Sequence, residues 1–159
     1  MVGSRSPTRV GIANAQRLSG QLSSLGLTIV SGMVLGIDAA CHEGALLAGA
    51  KTIAVLGTGC DIVYPARYQG LAHEISRLGL LLSEFPVRVR AAPHHFPRRN
   101  LVVTGFSLGT IVVEAVLKSG SLISAGVPWS RVARSLRFRV LETTGKPEVA
   151  ISSLEMVLP

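Results

Sequence analysis

Short apolar runs alternate with longer segments of helical periodicity along most of this chain, and this alternation limits the folds open to it. The short runs are rich in β-branched residues, which favours strands, whereas the longer segments carry apolar residues at intervals of three and four. Strands separated by helices are typical of a mainly parallel sheet with helices on both faces. The sequence therefore predicts an α/β fold with three αβα layers. Helices are predicted over residues 9–25, 37–48 and 66–77, strands over 27–30, 52–56, 80–83 and 110–113, and a proline-rich loop over 85–97.

The stretch SGMVLGIDAA at residues 31–40 predicts the end of a strand, a glycine turn and the start of a helix. Gly32 and Gly36 mark the turn, and Asp38 lies where the first turn of a helix favours a carboxylate. Such a turn leaves backbone N–H groups free at the helix N-terminus, where they can bind phosphate or another anion. We therefore expect an anion site here.

Ligands of open parallel sheets bind beyond the carboxyl ends of the strands. The residues predicted at those ends are mostly small or singly charged, beginning with Gly3, Ser4 and Arg5. Glycine and serine permit close approach of the backbone, and Arg5 and Lys118 supply positive charge. The same edge should hold Ser31, Gly32, residues 57–59, 83–84 and 118–121, and Glu114. The pattern predicts a phosphate-binding edge.

The charge of the chain favours a polyanionic partner. Sixteen basic and nine acidic residues give a net charge of +7, and residues 1–124 retain 11 basic and six acidic residues. Aromatic residues make up only 4% of the chain, which argues against an extensive base-stacking surface. Contacts with a nucleic acid are therefore expected to be mainly with phosphates.

Two further features concern the cellular location. No apolar run approaches the roughly 18 residues of a membrane span, and no secretory signal pattern is present, so we expect no membrane association and a cytoplasmic protein. Cys41 and Cys60 lie in apolar contexts without CxxC spacing and are predicted to be buried free thiols.

The motifs that could indicate catalysis lack the partner residues or the neighbouring elements that such sites require. Residues 105–109, GFSLG, match a nucleophile elbow, but all four histidines precede Ser107 and a strand is predicted after it. His94 and His95 have no carboxylate at a useful ligand spacing, and neither a P-loop nor a complete dinucleotide fingerprint occurs. We therefore expect no catalytic residue, no metal and no cofactor.

The triplet Arg98-Arg99-Asn100 follows the proline-rich loop and opens an apolar segment, and we assign it no role in the core. On its pattern alone it is either an exposed helix start or a binding element.

The chain resembles, in the content and order of its motifs, the Rossmann-like core of the bacterial DNA-processing protein A (DprA/Smf) family. The resemblance covers residues 2–125 and implies a Rossmann-like fold. It also implies a protein that binds single-stranded DNA, dimerises, and loads the RecA recombinase onto incoming DNA in natural transformation, with no established catalytic step. The similar segments are VGSR at 2–5, SGxxxGIDAA at 31–40, TIAVLG at 52–57, VYP at 63–65, LSEFP at 82–86, FPRRN at 96–100, and VEA to KSGSLI at 113–123.

At the matching positions, the resemblance implies a set of DNA-binding residues. Asp38 is expected to orient the loop, because a carboxylate beside a phosphate is repulsive. The expected phosphate-neutralising residues are Arg5, Arg98, Arg99 and Lys118, and the expected backbone, hydroxyl and amide donors are Gly3, Ser4, Ser31, Gly32, Gly36, Asn100, Ser119, Gly120 and Ser121.

The chain departs from the family at its first glycine turn and at its beginning. Leu35 stands where the family carries an arginine before the second glycine, so we expect one phosphate contact fewer and a salt dependence lower by about one unit of slope. The family also has an N-terminal helical domain and a complete first strand ahead of Gly3, and we expect the sheet to lack most of that strand.

After residue 125 the resemblance stops, whereas the family continues with a segment like ALEQGREVFAVPG. A back-translation of residues 125–140 with chosen codons, read from its third base, gives RCALEQGREVFAVPG. We hypothesise a frameshift near Ala125, natural or from sequencing, so that residues 1–124 form the core and 125–159 an out-of-frame tail. We then expect one strand edge without a partner, and marginal stability. An uninterrupted reading frame that encodes VPWSRVARSLRFR in close relatives would contradict the hypothesis.

Two other functions stay open. Arg98-Arg99-Asn100, Leu108-Gly109-Thr110 and Glu114 are similar to part of the pattern of nucleoside-monophosphate phosphoribohydrolases, in which a glutamate and an arginine act on an N-glycosidic bond. The diglycine of that pattern is absent, which puts its phosphate cradle in doubt. The other alternative is a non-functional fragment.

Overall fold

The computed structural model describes residues 1–114 and 139–141, in which helices and strands alternate as predicted. The strands are β1 (Val2–Gly3), β2 (Ile29–Gly32), β3 (Thr52–Leu56), β4 (Leu80–Ser83), β5 (Ile111–Val113) and β6 (Arg139–Leu141). The α-helices are α1 (Arg9–Ser24), α2 (Ile37–Leu47), α3 (Gln69–Leu78) and α4 (His95–Gly105), and a short 3₁₀ turn, Ala66–Tyr68, leads into α3.

The strands form two three-stranded sheets, in the order β2-β3-β4 and β1-β5-β6, and neighbouring strands in each are parallel. β1 is only two residues long, with Val2 opposite Val112 of β5. Residue 1 joins β1 to β2, because the Met1 amine donates to O of Val30 (2.7 Å) and the Ser31 hydroxyl donates to O of Met1. The carboxyl ends of these parallel strands therefore lie at one edge, here called the carboxyl edge.

Different helices cover the two faces of the sheet, because successive residues of a strand point to opposite faces. On one face, Ile29 and Val113 pack in a cluster with α1 and α2. Their neighbours Val30 and Val112 pack on the other face with Val103 of α4. The fold is therefore a three-layer, Rossmann-like αβα arrangement with a parallel sheet, as the sequence predicted.

Several boundaries differ from the prediction by one to three residues, and those of β2 and α4 affect the site. β2 begins at Ile29 and extends to Gly32, so the first glycine of the turn lies in the strand. α4 begins at His95, inside the stretch predicted as a loop. Pro97 is compatible with this helix, because the N–H groups of a first helical turn have no intrahelical partner.

A strand lies beyond residue 125. β6 pairs in parallel with β5, with Arg139 opposite Ile111. The expectation that this edge of the sheet is unpaired is therefore wrong, whereas the frameshift and the division at residue 125 stay hypotheses. Residues 115–138 and 142–159 lie outside the described residues. Four of the predicted DNA-binding residues fall among them: Lys118, Ser119, Gly120 and Ser121.

The two cysteines are free thiols and differ in burial. Cys41 is buried as predicted, and burial raises the pKa of its thiol to about 12. Cys60 was predicted to be buried and is instead exposed in the loop after β3. Of the helices that the structure describes, none combines the length and apolar character needed to cross a membrane.

The packing of α1 on α2 depends on Gly44, where a Cβ would overlap O of Gln16 and the hydroxyl of Ser19. Alanine is the better helix former by about 1 kcal/mol. The clash with the Gln16 backbone is expected to outweigh that gain, so Gly44→Ala should lower the free energy of unfolding by about 2 kcal/mol in urea denaturation. Gly70→Ala in α3 is the control, because its new Cβ meets no atom within 4 Å. Equal effects of the two substitutions would contradict this account of the helix contact.

Candidate nucleic-acid interface

The loop after β1 lies directly against the glycine turn after β2. Gly36 has φ 87°, and a Cβ there would overlap O of Ser4. The N–H of Ile37, which begins α2, donates to O of Ser4 (3.1 Å), and the N–H of Ser4 donates to O of Glu114 (2.7 Å). Segments after three strands thus form one connected structure at the carboxyl edge. The expectation of free N–H groups at the start of α2 is wrong for Ile37.

Glu114, directly after β5, fixes the start of α1. Its backbone has φ 51°, and its carboxylate accepts hydrogen bonds from the N–H (2.8 Å) and the hydroxyl (2.6 Å) of Thr8. Thr8 is the N-cap of α1 and accepts a hydrogen bond from the N–H of Gly11 (3.0 Å). Both carboxylate oxygens of Glu114 therefore serve to order a helix start, a role that the sequence analysis missed.

Arg99 lies beneath the carboxyl edge. Only 3% of the residue is exposed, and its Nη1 donates to O of Val55 at the end of β3 (3.1 Å). The guanidinium occupies the space that a Cβ on Gly32 would fill, which explains why the last residue of β2 is glycine. The buried Nε of Arg99 has no hydrogen-bond partner among the described residues. The interpretation of this position as an exposed helix start, without a role in the core, is therefore wrong.

Asp38 is buried in the first turn of α2 and accepts a hydrogen bond from the backbone N–H of Gly3. Burial raises the pKa of its carboxyl, while the charges of Arg99, the N-terminal amine and Arg5 act in the opposite direction. Burial also lowers the pKa of the Arg99 guanidinium, and the nearby Asp38 opposes that change. Asp38 thus connects β1 with α2 in a buried polar cluster, and its role in orienting a binding loop stays a prediction.

Above this buried cluster, arginines and aromatic rings form a surface that we call the rim: Arg5, Tyr64, Phe85, Phe96 and Arg98. The guanidinium of Arg5 lies 5.8 Å from the centre of the Phe96 ring, and that of Arg98 lies 5.8 Å from the Phe85 ring. The rings of Tyr64 and Phe96 are 5.9 Å apart. Low aromatic content led us to expect few stacking partners, but composition does not show that Tyr64 contacts Phe96 or that an arginine lies beside both Phe96 and Phe85.

His95 and Ser107 have structural contacts. O of Gly57 accepts a hydrogen bond from Nδ1 of His95 (3.0 Å), and the His95 ring stacks on Phe85 at 4.1 Å, so His95 holds the start of α4 against the end of β3. The Ser107 hydroxyl donates to O of Val103 (2.6 Å) in the helix that precedes it. A nucleophile elbow requires a strand before the serine and a helix after it, and here that order is reversed.

The predicted binding residues in the described part of the chain divide into exposed and internal groups. Arg5 and Arg98 are exposed, and Asn100 is half-buried in α4. The hydroxyls of Ser4 and Ser31 are already engaged, Ser4 as acceptor from the N–H of Ser6 (3.1 Å) and Ser31 as donor to Met1. The remaining predicted residues that the structure brings to this edge are Gly3, Gly32, Gly36 and Arg99.

Comparison with known proteins places these features in a family. The model of the family described as DNA recombination-mediator protein A matches residues 1–141, which extends past the expected limit at residue 125. Protein Smf of Synechocystis is 44% identical over 125 residues, which cover 79% of this chain and 31% of that protein. DNA processing protein DprA of Streptococcus pneumoniae is 42% identical over 124 residues, covering 78% of this chain and 44% of that protein. The chain thus spans less than half the length of these relatives.

Two solved structures share the fold. DprA from Streptococcus pneumoniae superposes with a TM-score of 0.73 and 40% identity, over 78% of this chain and 44% of that one. DNA processing protein A from Helicobacter pylori superposes with a TM-score of 0.73 and 35% identity, over 78% of this chain and 56% of that one. The latter structure is described as showing the single-stranded DNA binding mode of that protein.

Proposed function

Because the chain belongs to the DNA recombination-mediator protein A family, we propose that it binds single-stranded DNA at the carboxyl edge of its sheet. The relatives are named as DNA processing proteins, which supports a role in DNA processing during recombination and transformation. We extend the proposal to the cellular location and the partners of the protein. The protein works in the cytoplasm as a homodimer that loads RecA onto the bound strand.

The rim is the observation that carries this proposal. Proteins that bind single strands without sequence preference combine positive charge for the phosphates with aromatic faces for the bases. Arg5 and Arg98 supply exposed guanidinium groups, and Phe96 and Phe85 lie beside them. Tyr64 is 50% exposed and contacts Phe96, so it offers a further ring surface to a base. We propose that the phosphates contact the arginines while bases stack on these rings.

Beneath the rim, the buried residues hold the binding loops in place. Arg99 supports the ends of β2 and β3 and adds positive potential without reaching solvent. Asp38 orients the loop after β1 through the N–H of Gly3. The close packing of Gly3, Ser4, Ser31, Gly32 and Gly36 fixes the shape of these loops. Asn100, Lys118, Ser119, Gly120 and Ser121 supply further donors.

We propose binding without catalysis. In a phosphoribohydrolase the glutamate must reach the substrate, whereas both carboxylate oxygens of Glu114 accept hydrogen bonds from Thr8. That contact favours DNA binding over phosphoribohydrolase activity. Release of free adenine from AMP by the purified chain would overturn this part of the proposal.

Removal of the two exposed rim arginines tests the DNA site. We expect Arg5→Ala with Arg98→Ala to weaken binding of an oligo-dT of about 20 nucleotides by about tenfold, equivalent to about 1.4 kcal/mol. The slope of log affinity against log salt should fall by about 1.4, since each phosphate contact on a single strand contributes about 0.7. The measurement is fluorescence anisotropy across a salt series. Arg99 is left intact because its loss would disturb the fold.

The matched control removes the same charge from another surface. Arg17 in α1 and Arg77 in α3 are exposed, so Arg17→Ala with Arg77→Ala lowers the net charge equally. A general charge effect would weaken binding equally in both pairs and would contradict a site at the rim.

A further inference from the structure

The segment between β4 and α4 carries two exposed arginines, Arg88 and Arg90, that belong to no site described so far. They lie in residues 86–90, here called the arginine loop. Loops that only connect elements are usually mobile and variable, so a functional role requires that the loop be held in one shape.

The arginine loop is held by the loop that follows β3. The N–H of Arg88 donates to both carboxylate oxygens of Asp61, at 2.9 and 3.0 Å. The N–H of Gly59 donates to O of Val89 (2.9 Å). Arg88 has φ 67°, a conformation that costs a non-glycine residue about 1 kcal/mol and persists only where the surroundings enforce it. Asp61 thus fixes the backbone from which the two arginines project.

The charge of these arginines is not neutralised by the acid that holds the loop. The Asp61 carboxylate accepts hydrogen bonds from the backbone N–H of Arg88 and forms no recorded ion pair with its guanidinium. Across the described residues, the recorded ion pair joins Arg98 to Glu84 (3.4 Å), and Arg88 and Arg90 have no acidic partner there. The loop therefore presents two positive charges to an anion.

The arginine loop continues the rim toward β4. Gly57 lies against the Phe96 ring, with 3.2 Å from its Cβ position to the ring edge. Gly59, two residues further along the same loop, contacts Pro86 and Val87 of the arginine loop. Phe85 of the rim also directly precedes Pro86, so the arginine loop begins where the aromatic part of the rim ends.

We propose that the arginine loop is a second phosphate-binding element, which takes the nucleotides next to those on the rim and directs the single strand across the carboxyl edge toward β4. This inference rests on the proposed DNA binding and adds the length and direction of the bound strand. An acidic protein segment is the other anion that two fixed arginines could bind, and the test distinguishes it.

The test compares Arg88→Ala with Arg90→Ala against the Arg17→Ala with Arg77→Ala control. On an oligo-dT of about 20 nucleotides, we expect the salt slope to fall by about 1.4, so that the loss of affinity between about 50 and 200 mM salt becomes about sevenfold smaller. An oligo-dT of about four nucleotides fills only the rim, so the Arg88→Ala with Arg90→Ala variant should bind it with the wild-type affinity. Equal slopes for wild type and variant on the longer strand would overturn the inference and leave an acidic segment as the partner.

Two substitutions of Asp61 distinguish the effect of a fixed loop backbone on DNA affinity from the effect of charge. Asp61→Asn and Asp61→Ala remove the same negative charge, but only asparagine keeps an acceptor for the N–H of Arg88. We expect Asp61→Ala to bind the longer strand about threefold more weakly than Asp61→Asn, and equal affinities would contradict a loop held for binding. If wild type binds no DNA, the proposed function fails as well. If Arg5→Ala with Arg98→Ala weakens binding and the loop variants do not, only this inference fails.

Discussion

Replacement of Arg99 by alanine is expected to lower the free energy of unfolding by about 3 kcal/mol. The substitution removes the donor to O of Val55 and leaves a cavity above Gly32. It also removes the positive charge that most strongly opposes the effect of burial on the pKa of the Asp38 carboxyl. An uncompensated buried charge is among the most destabilising changes a single substitution can make.

Urea denaturation measures this effect, and the neighbouring arginine supplies the control. Arg98 is exposed and pairs with Glu84 at the surface (3.4 Å), so Arg98→Ala should change stability by less than about 0.5 kcal/mol. In an Asp38→Asn background, Arg99→Ala should be less harmful because the buried negative charge is gone. Similar midpoints for Arg99→Ala and Arg98→Ala would show that Arg99 has no such buried role.

Acidification is expected to destabilise the protein through His42. The side chain is completely buried, Nε2 donates to O of Gly32 (2.8 Å), and Nδ1 lies 2.8 Å from the hydroxyl of Thr52. The pKa of His42 is lowered to about 4, mainly by burial and also by the nearby N-terminal amine and Arg99, while the hydrogen bond to Gly32 opposes the change. In the unfolded chain the pKa is about 6.5, so between these values only the unfolded state binds the proton. Stability is therefore lost as the pH falls from about 6.5 to about 4, by about 3 kcal/mol.

The contribution of His42 is isolated by comparison with a variant. Asp38 acts in the opposite sense, because its raised pKa makes the folded state take up a proton first as the pH falls. Asp38 is present in both wild type and His42→Gln. Its contribution therefore cancels when the pH dependence of stability of one protein is subtracted from that of the other. We expect urea denaturation at pH 7 and about pH 4.5 to show a smaller loss in His42→Gln. His73→Gln, an exposed control, should keep the wild-type pH dependence, and parallel curves for wild type and His42→Gln would contradict the prediction.

The local sequence was enough to predict most elements of the fold. The strands at 52–56 and 80–83 have the predicted bounds, because each is a short apolar run enclosed by helical segments and turns. The start of α4 was missed because Pro93 and Pro97 indicate a loop by composition. Proline in the first turn of a helix removes no intrahelical hydrogen bond, and this exception cannot be recognised until the helix is known.

The site was less predictable because its roles depend on residues distant in sequence. Arg98 and Arg99 are adjacent and identical, yet one is exposed and the other buried, and the difference depends on the space left by Gly32. Glu114 was grouped with the charges of the binding edge, whereas its partner is Thr8, at the other end of the described core. For the described residues, the sequence did not show which of those at this edge face solvent.

The pairing of Val2 with Val112 has a consequence for how the chain folds during its synthesis. Translation produces β1 first, but its partner strand β5 is made about 110 residues later, which at 5 to 20 residues per second takes roughly 5 to 20 s. During that interval β2, β3 and β4 can pair in sequence, while the nascent β1 has a partner on one side only. Contacts of such high sequence separation slow folding, because the loop between them must close before the pairing stabilises it. β1 is thus made before β2, β3 and β4 but pairs with β5 only after all three have been made.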